Sequence, residues 1–545
     1  MPPDIAFLKS PASAGAGPLA RRRALGAYYT PPDAAHYMAT WALRKDGDRV
    51  LEPSVGDGAF LDAVAEVSEI AGFEGIEITA VELDRDVSVR TLAKARPGVS
   101  VSPLVKDFLS VSPTPHEVVI GNPPYVRLRN LPAAQRSTAL RTAENWLGTA
   151  MDPSGSTWMP FVVHATQCLR PGGRMALVLP YEVTYVRYAR PLWEFLGARF
   201  GSLRLVRTLR RIFPDILQEV VLLFADEKGR STGSVDFEAF ESFDQLRDGV
   251  ASSREQIAIR EVVDGRPFVA ALLPAALREL LDGRLATVTQ PARDFAKFRI
   301  GYVAGDKAFF HPNQERLSSF GLTSESLRPA LGSARKLKGQ GLWTSRLGES
   351  ATTHLFAPTP GELSEADKRY IAYGVETGVD DRYKCRIRDP WYVVPYVHTP
   401  DVVLTVFSEH PLLLANDGGL VASNSLLCGY SSDGDSGALA RQWYTTLTLL
   451  YLELQVHALG GGVFVLVPRE TGDVRIAKPE FVAGAHLDGV NEALLRGDVE
   501  AAYSAGDQAI LVSEALTHDQ LDLIRQGVAE LRRWRQSARS PSGDE

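Results

Sequence analysis

Asn122-Pro123-Pro124-Tyr125 places an amide side chain, free carbonyls and an aromatic ring at the end of the apolar run Val118-Val119-Ile120-Gly121. That run reads as a buried strand leaving its sheet at a tight turn. Two successive prolines fix φ and remove two backbone donors, so the carbonyls there point outward with no ladder to join. The Asn122 oxygen and the Pro123 carbonyl can accept both N–H bonds of an exocyclic amine on a flat ring. Tyr125 can stack on that ring. Taken alone, the tetrapeptide also describes a plain proline turn that ends a strand.

Carboxylates gather upstream. Val50-Leu51-Glu52-Pro53-Ser54-Val55-Gly56-Asp57-Gly58-Ala59-Phe60 reads as a strand, a glycine turn and a helix start. The glycines let backbone approach a ligand closely. Glu52 and Asp57 would repel a pyrophosphate and suit a cationic, hydroxyl-rich ligand. The next strand ends at Val81-Glu82-Leu83-Asp84, where Glu82 is placed to take both hydroxyls of a ribose. After the third strand, Asp107 can accept from an adenine amine while Phe108 covers the ring. Tyr29-Thr30-Pro31 opens a helical pattern, and a capped helix N-terminus can hold a carboxylate.

These residues must be positioned by alternating strands and helices, which over about 24–226 signify a parallel α/β sheet. The expected strands are Arg49–Ser54, Glu77–Leu83, Val99–Lys106, Glu117–Gly121, Arg174–Leu179, Leu203–Leu209 and Glu219–Ala225, the last two as an antiparallel edge. Pro171-Gly172-Gly173 is the expected turn into the fifth strand. The composition turns polar around 227–265, and Phe268–Leu281 has a helical pattern. The resulting division is a mobile tail over 1–20, a catalytic domain over 21–240, a connector over 241–294, a mixed domain over 295–480 and a helical segment over 481–545.

With 545 residues, two or three domains are expected. The formal net charge of −7 argues against a chain coated in nucleic-acid contacts, but its arginines cluster. Arg187, Arg190, Arg199, Arg204, Arg207, Arg210 and Arg211 crowd one stretch, and a basic cleft on an acidic body is the reading. Cys168, Cys385 and Cys428 lack zinc spacing or a disulfide framework and read as buried hydrophobes. No metal is expected. With no membrane span or signal peptide in view, the expectation is a cytoplasmic monomer. His36, His116 and His164 receive no chemical role.

Taken in order, Tyr29-Thr30-Pro31, Glu52–Gly58, Glu82, Asp107-Phe108, Asn122-Pro123-Pro124-Tyr125, the Pro-Gly-Gly unit and Phe213-Pro214 resemble the γ-class, TaqI-type, adenine-N6 DNA methyltransferases of restriction-modification systems. The resemblance spans about 24–226. It implies a Rossmann-like S-adenosylmethionine-dependent methyltransferase domain with a C-terminal mixed α+β target-recognition domain. It also implies S-adenosyl-L-methionine held by Tyr29, Thr30, Pro31, Glu52, Ser54, Gly56, Gly58, Glu82, Asp107, Phe108 and Asn122. Catalysis falls to Asn122, Pro123 and Tyr125, with Phe213 on the opposite face of a flipped base. Double-stranded DNA is the implied partner, with a cognate restriction endonuclease as a second.

Arg127, Arg335, Lys336, Arg386 and Arg388 are the candidate DNA contacts, the last two alternating along a strand-like run. Gly301–Phe310, Asn416-Asp417, Asn424-Ser425 and Gly460-Gly461-Gly462 resemble pieces of target-recognition domains. The same Asn-Pro-Pro-Tyr chemistry also serves RNA and protein-glutamine methyltransferases, and cytosine N4 is a further acceptor. These alternatives stay open on sequence.

Overall fold

The computed structural model describes residues 30–92, 94, 96–213, 219–459, 462–485 and 487–537. The expected N-terminal tail, Tyr29, Pro214 and Gly460-Gly461 lie outside these residues. The chain forms two compact units that divide between Leu272 and Leu273.

The first unit is built on nine strands: β1 (Arg49–Glu52), β2 (Ile76–Glu82), β3 (Val99–Val105), β4 (His116–Gly121), β5 (Leu169–Pro180), β6 (Phe200–Thr208), β7 (Val220–Lys228), β8 (Ser234–Phe240) and β9 (Ser253–Ala258). Their order is β3-β2-β1-β4-β5-β7-β6-β8-β9. β1 pairs in parallel with both β2 and β4, so the strand order reverses between β1 and β4. This is a Rossmann-like sheet, and such a reversal is where open α/β sheets bind ligands.

Helices Pro32–Ala42 and Ala59–Ala71 cover one face. Their Met38, Ala39, Leu61 and Val64 share a core with Val50, Ile78, Val118 and Ile120. Alanines at 34, 35, 39 and 42 give the first helix a thin face that packs close to the strands. The Pro-Gly-Gly turn leaves the β5 ladder as a bulge, between Leu169 opposite His116 and Arg174 opposite Val118.

β6 and β7 are antiparallel, but they are not the edge. β7 lies between β5 and β6, and β8 and β9 extend the sheet beyond β6. The polar-looking stretch that suggested a boundary is an alternating strand. Val235, Phe237 and Ala239 are buried on β8, whereas Asp236 is exposed.

The second unit holds a four-stranded antiparallel sheet of Ala296–Ile300, Leu426–Ser431, Val402–Thr405 and Leu413–Ala415. A three-stranded sheet of Thr353–Phe356, Leu327–Leu331 and Val421–Ala422 accompanies it. An aromatic cluster packs nearby, with Phe309 stacked on Tyr370 at 4.6 Å. Buried helix Thr446–Gln455 is tied to the long helix His518–Gln536 by the Glu453–Arg535 ion pair at 2.7 Å. The single helix expected over Phe268–Leu281 is interrupted. A 3-10 turn ends at Leu272 and helix Ala275–Leu280 restarts, because Pro274 cannot donate and disfavours helix at the residue before it. Cys168, Cys385 and Cys428 are free and buried, and burial pushes the thiols of Cys168 and Cys428 up to about 12.

One buried ion pair anchors β5 to the chain entering β1. Arg174 reaches Asp48 and the Ala42 carbonyl, and the paired side chains are 5% and 0% exposed. Asp48→Ala would strand a buried guanidinium, and a loss of about 3–5 kcal/mol is expected in urea unfolding. A change below about 1 kcal/mol would mean that the pair does not anchor the sheet.

Candidate active site

The loop after β1 is stitched to β2. Val55 N–H donates to the Val81 carbonyl at 3.1 Å, and Gly56 N–H donates to Glu82 Oε2 at 3.0 Å. Gly58 adopts φ +86° and opens helix Ala59–Ala71; a Cβ there would stand 2.5 Å from the Thr91 methyl. Only glycine fits both demands. Glu82 Oε1 accepts from Asp84 N–H at 2.8 Å. Its carboxylate is thereby oriented by backbone on both oxygens, each keeping a lone pair for a ligand hydroxyl.

Glu52 is 1% exposed, and among the described residues neither carboxyl oxygen has a hydrogen-bond partner. Burial, and then the charge of Asp57, hold its pKa well above the usual carboxylate range. A buried, unpartnered carboxyl beside a glycine loop suits a cationic group. Asp107 accepts from Leu109 N–H at 3.1 Å and caps a short turn. Phe108 is 2% exposed, packed on Phe161 and His164 with ring centroids at 5.2 and 4.8 Å.

β4 delivers Asn122. Ser54 Oγ donates to the Asn122 carbonyl at 2.9 Å and ties the end of β4 to that of β1. Gly121 permits this approach, since a Cβ there would lie 3.0 Å from the Pro53 ring. The Asn122 side chain is held at both ends. Nδ2 donates to Thr30 Oγ1 at 3.3 Å, and Oδ1 accepts from the Tyr125 hydroxyl at 2.6 Å. Thr30 therefore serves Asn122, and Pro31 takes the helix cap position without a side-chain cap bond. His116 and His164 use ring nitrogens on the carbonyls of Thr114 and Val111.

Several expected residues sit differently. Phe213 is 3% exposed and belongs to the core cluster with Val206, Ile212 and Phe240. Of the clustered arginines, Arg204 pairs with Glu238 at 2.9 Å and Arg207 with Glu219 at 3.0 Å. Arg207 also covers the Tyr181 ring at 4.0 Å. These are internal struts of the sheet, which makes the basic cleft smaller than the sequence suggested. Arg127 pairs with Glu182 at 2.8 Å.

In the second unit Arg335, Lys336 and Arg386 are exposed. Arg386 and Arg388 do not alternate on a strand. Tyr383–Arg386 is a helical turn with Cys385 buried against Gly305, and Arg388 donates to the carbonyls of Ala304, at 2.8 Å, and Val303. Asn416 is buried and spends its amide on Pro400 and Leu420. Glu182 and Thr157, which hold the loop after Asn122, carried no sequence signal because their partners are distant along the chain.

The profile described as "Eco57I restriction-modification methylase" matches residues 106–206. The profile of the C-terminal domain of type II methyltransferase M.Eco57I matches residues 266–511. Type II methyltransferase M.HincII of Haemophilus influenzae is 24% identical over 218 residues, 40% of this chain and 40% of that one. M.AccI of Acinetobacter calcoaceticus is 21% identical over 423 residues, 75% and 76% of the two chains. M.TthHB8I of Thermus thermophilus is 30% identical over 215 residues, 38% and 46%. The alignment with M.HincII thus spans about two fifths of that relative's length. One profile falls within the first unit and nearly all of the other within the second, so both units are similar to parts of restriction-modification methyltransferases.

Proposed function

We propose that this chain is a site-specific DNA methyltransferase of the γ-class that methylates adenine N6 in duplex DNA, acting on a base extruded from the helix. The observation that carries the reading is the Asn122 amide, oriented by Tyr125 and Thr30 at the switch point of the sheet. The restriction-modification descriptions of its relatives support DNA over RNA or protein as the substrate.

The residues fit S-adenosylmethionine. Glu52 is a buried carboxyl without a partner among the described residues, Glu82 presents an oriented carboxylate, and Gly56 and Gly58 bring backbone to the same mouth. When bound, this cofactor supplies an electrophilic sulfonium methyl. In this reading Asn122 Oδ1, which accepts from Tyr125, also accepts one amine proton, with the Pro123 carbonyl as second acceptor. Accepting both protons localises the amine lone pair, and acceptors fixed in advance favour the charge that develops on nitrogen. No covalent enzyme intermediate or strong base is required. Extruding the base costs a few kcal/mol, on the order of what one aromatic stack returns, about 1–3 kcal/mol. We assign that stack to Tyr125, because Phe213 would have to leave the core to share it. In this reading residues 295–480 read the target, with Arg335, Lys336 and Arg386 as phosphate contacts, and a cognate restriction endonuclease is the biological partner.

Asn122→Ala is expected to abolish methyl transfer to duplex DNA while calorimetry still registers S-adenosylmethionine binding; substantial residual turnover would exclude the mechanism. Glu82→Ala should weaken cofactor affinity roughly ten- to a hundredfold, the worth of one charge-assisted hydrogen bond of about 1.5–3 kcal/mol, with DNA affinity retained. Unchanged cofactor affinity would remove Glu82 from the site. The raised Glu52 pKa gives a pH test. A cationic ligand favours the carboxylate, so binding should release a proton and tighten as pH climbs from the ordinary carboxylate range toward the raised value. Folding stability should run the other way, full below that range and declining as Glu52 ionises. Calorimetry in buffers of different ionisation heat reads the proton, and Glu52→Gln should erase it; pH-independent binding by wild type would contradict the assignment.

A further inference from the structure

We propose that Glu182 and Arg127 form a strut that holds the Asn-Pro-Pro-Tyr loop in place, making Arg127 a positioning residue and not a phosphate grip. The proposal rests on the methyltransferase reading above and names the support of that same site.

Glu182 lies just past β5 in the turn Tyr181–Thr184 and is 7% exposed. Its carboxylate collects three donors. Oε2 accepts from Arg127 at 2.8 Å, and Oε1 accepts from the Trp158 indole and the Tyr188 hydroxyl, each at 2.8 Å. A carboxylate is costly to bury unless its lone pairs are used, and these donors use them. Packing alone would be served by an apolar side chain at this position.

The other end of the strut is the loop itself. Arg127 follows Tyr125 by two residues. Val126 N–H donates to Thr157 Oγ1 at 3.1 Å, and Thr157 N–H returns to the Val126 carbonyl at 2.9 Å. Leu128 N–H donates to the Gly155 carbonyl at 2.9 Å, and the Thr157 hydroxyl donates to the Pro124 carbonyl. Residues 124–128 and 155–158 thus make a short ladder, and Glu182 fastens both sides of it, through Arg127 and through Trp158. Tyr125, whose hydroxyl orients Asn122 Oδ1, links this ladder to the accepting amide. A misplacement of about 1 Å at such a group costs on the order of 100-fold in rate. The Arg127 side chain is 44% exposed, so a phosphate could also reach it. That is the competing role.

Glu182→Gln keeps an oxygen for Trp158 and Tyr188 but turns an NH2 toward Arg127, and Arg127→Gln removes the other end. Each is expected to lower kcat on duplex DNA roughly ten- to a hundredfold. The KM for DNA, the cofactor affinity and the salt dependence of DNA binding should stay within about twofold of wild type. The double variant should be no worse than the weaker single one, because one link is cut either way. Amide exchange at Val126 and Leu128 should quicken at least about tenfold in both singles, a readout that needs no substrate. If Arg127→Gln weakens DNA binding and lowers the salt slope by about one, Arg127 is a phosphate grip and the proposal fails. Wild-type kcat with unchanged exchange in Glu182→Gln overturns it equally. Should wild type transfer no methyl to DNA, the functional reading falls by itself, and exchange alone decides the strut.

Discussion

Parallel pairing of β1 with strands on both sides is the constraint on which the rest depends. The register sets Glu52 opposite Ala80 on β2 and Leu51 opposite Val119 on β4. Three carboxyl ends therefore finish at nearly one level, and Glu52, Glu82 and Asn122 emerge together. The bonds from Gly56 to Glu82 and from Ser54 to Asn122 then lock those ends to one another. A shift of one residue in either pairing would turn every side chain to the opposite face and separate Glu52 and Glu82 from the Asn122 amide.

Charge follows the same division. The acids of the first unit converge near Glu52, whose pKa burial raises most; Asp57, Glu82 and Asp62 raise it further and Arg96 opposes them. Several of its arginines are consumed inside the fold: Arg174 by Asp48, Arg204 by Glu238 and Arg207 by Glu219. Removing either partner of such pairs exposes the other to a desolvated environment, so they stiffen the sheet without offering charge to a polyanion. In the second unit Arg335, Lys336 and Arg386 point to solvent, which leaves that unit the larger share of free positive charge among the candidates.

Strands that are apolar throughout and end in a glycine or proline turn were legible from sequence, and β4 with its tetrapeptide is the clearest. β8 and β9 were not, because half of each strand faces solvent and their acids and serines resemble a linker. Asn122, Glu82 and Gly58 lie in motifs, and their places at the strand ends and the glycine turn could be read from the sequence. Glu182 could not. A single acid after Pro-Tyr has no pattern, and its donors lie 55, 24 and 6 residues away. Arg388 misled for the opposite reason. Its spacing from Arg386 fits a strand, but burying Cys385 beneath Gly305 curls the chain into a helical turn and sends the guanidinium to backbone carbonyls.

The central claim is the identity of the accepting atom. Duplex DNA incubated with the purified chain and S-adenosylmethionine, digested to nucleosides and read by mass spectrometry, tests it directly. The account predicts N6-methyladenine as the sole new nucleoside. N4-methylcytosine, or label found only on RNA or protein, would contradict it.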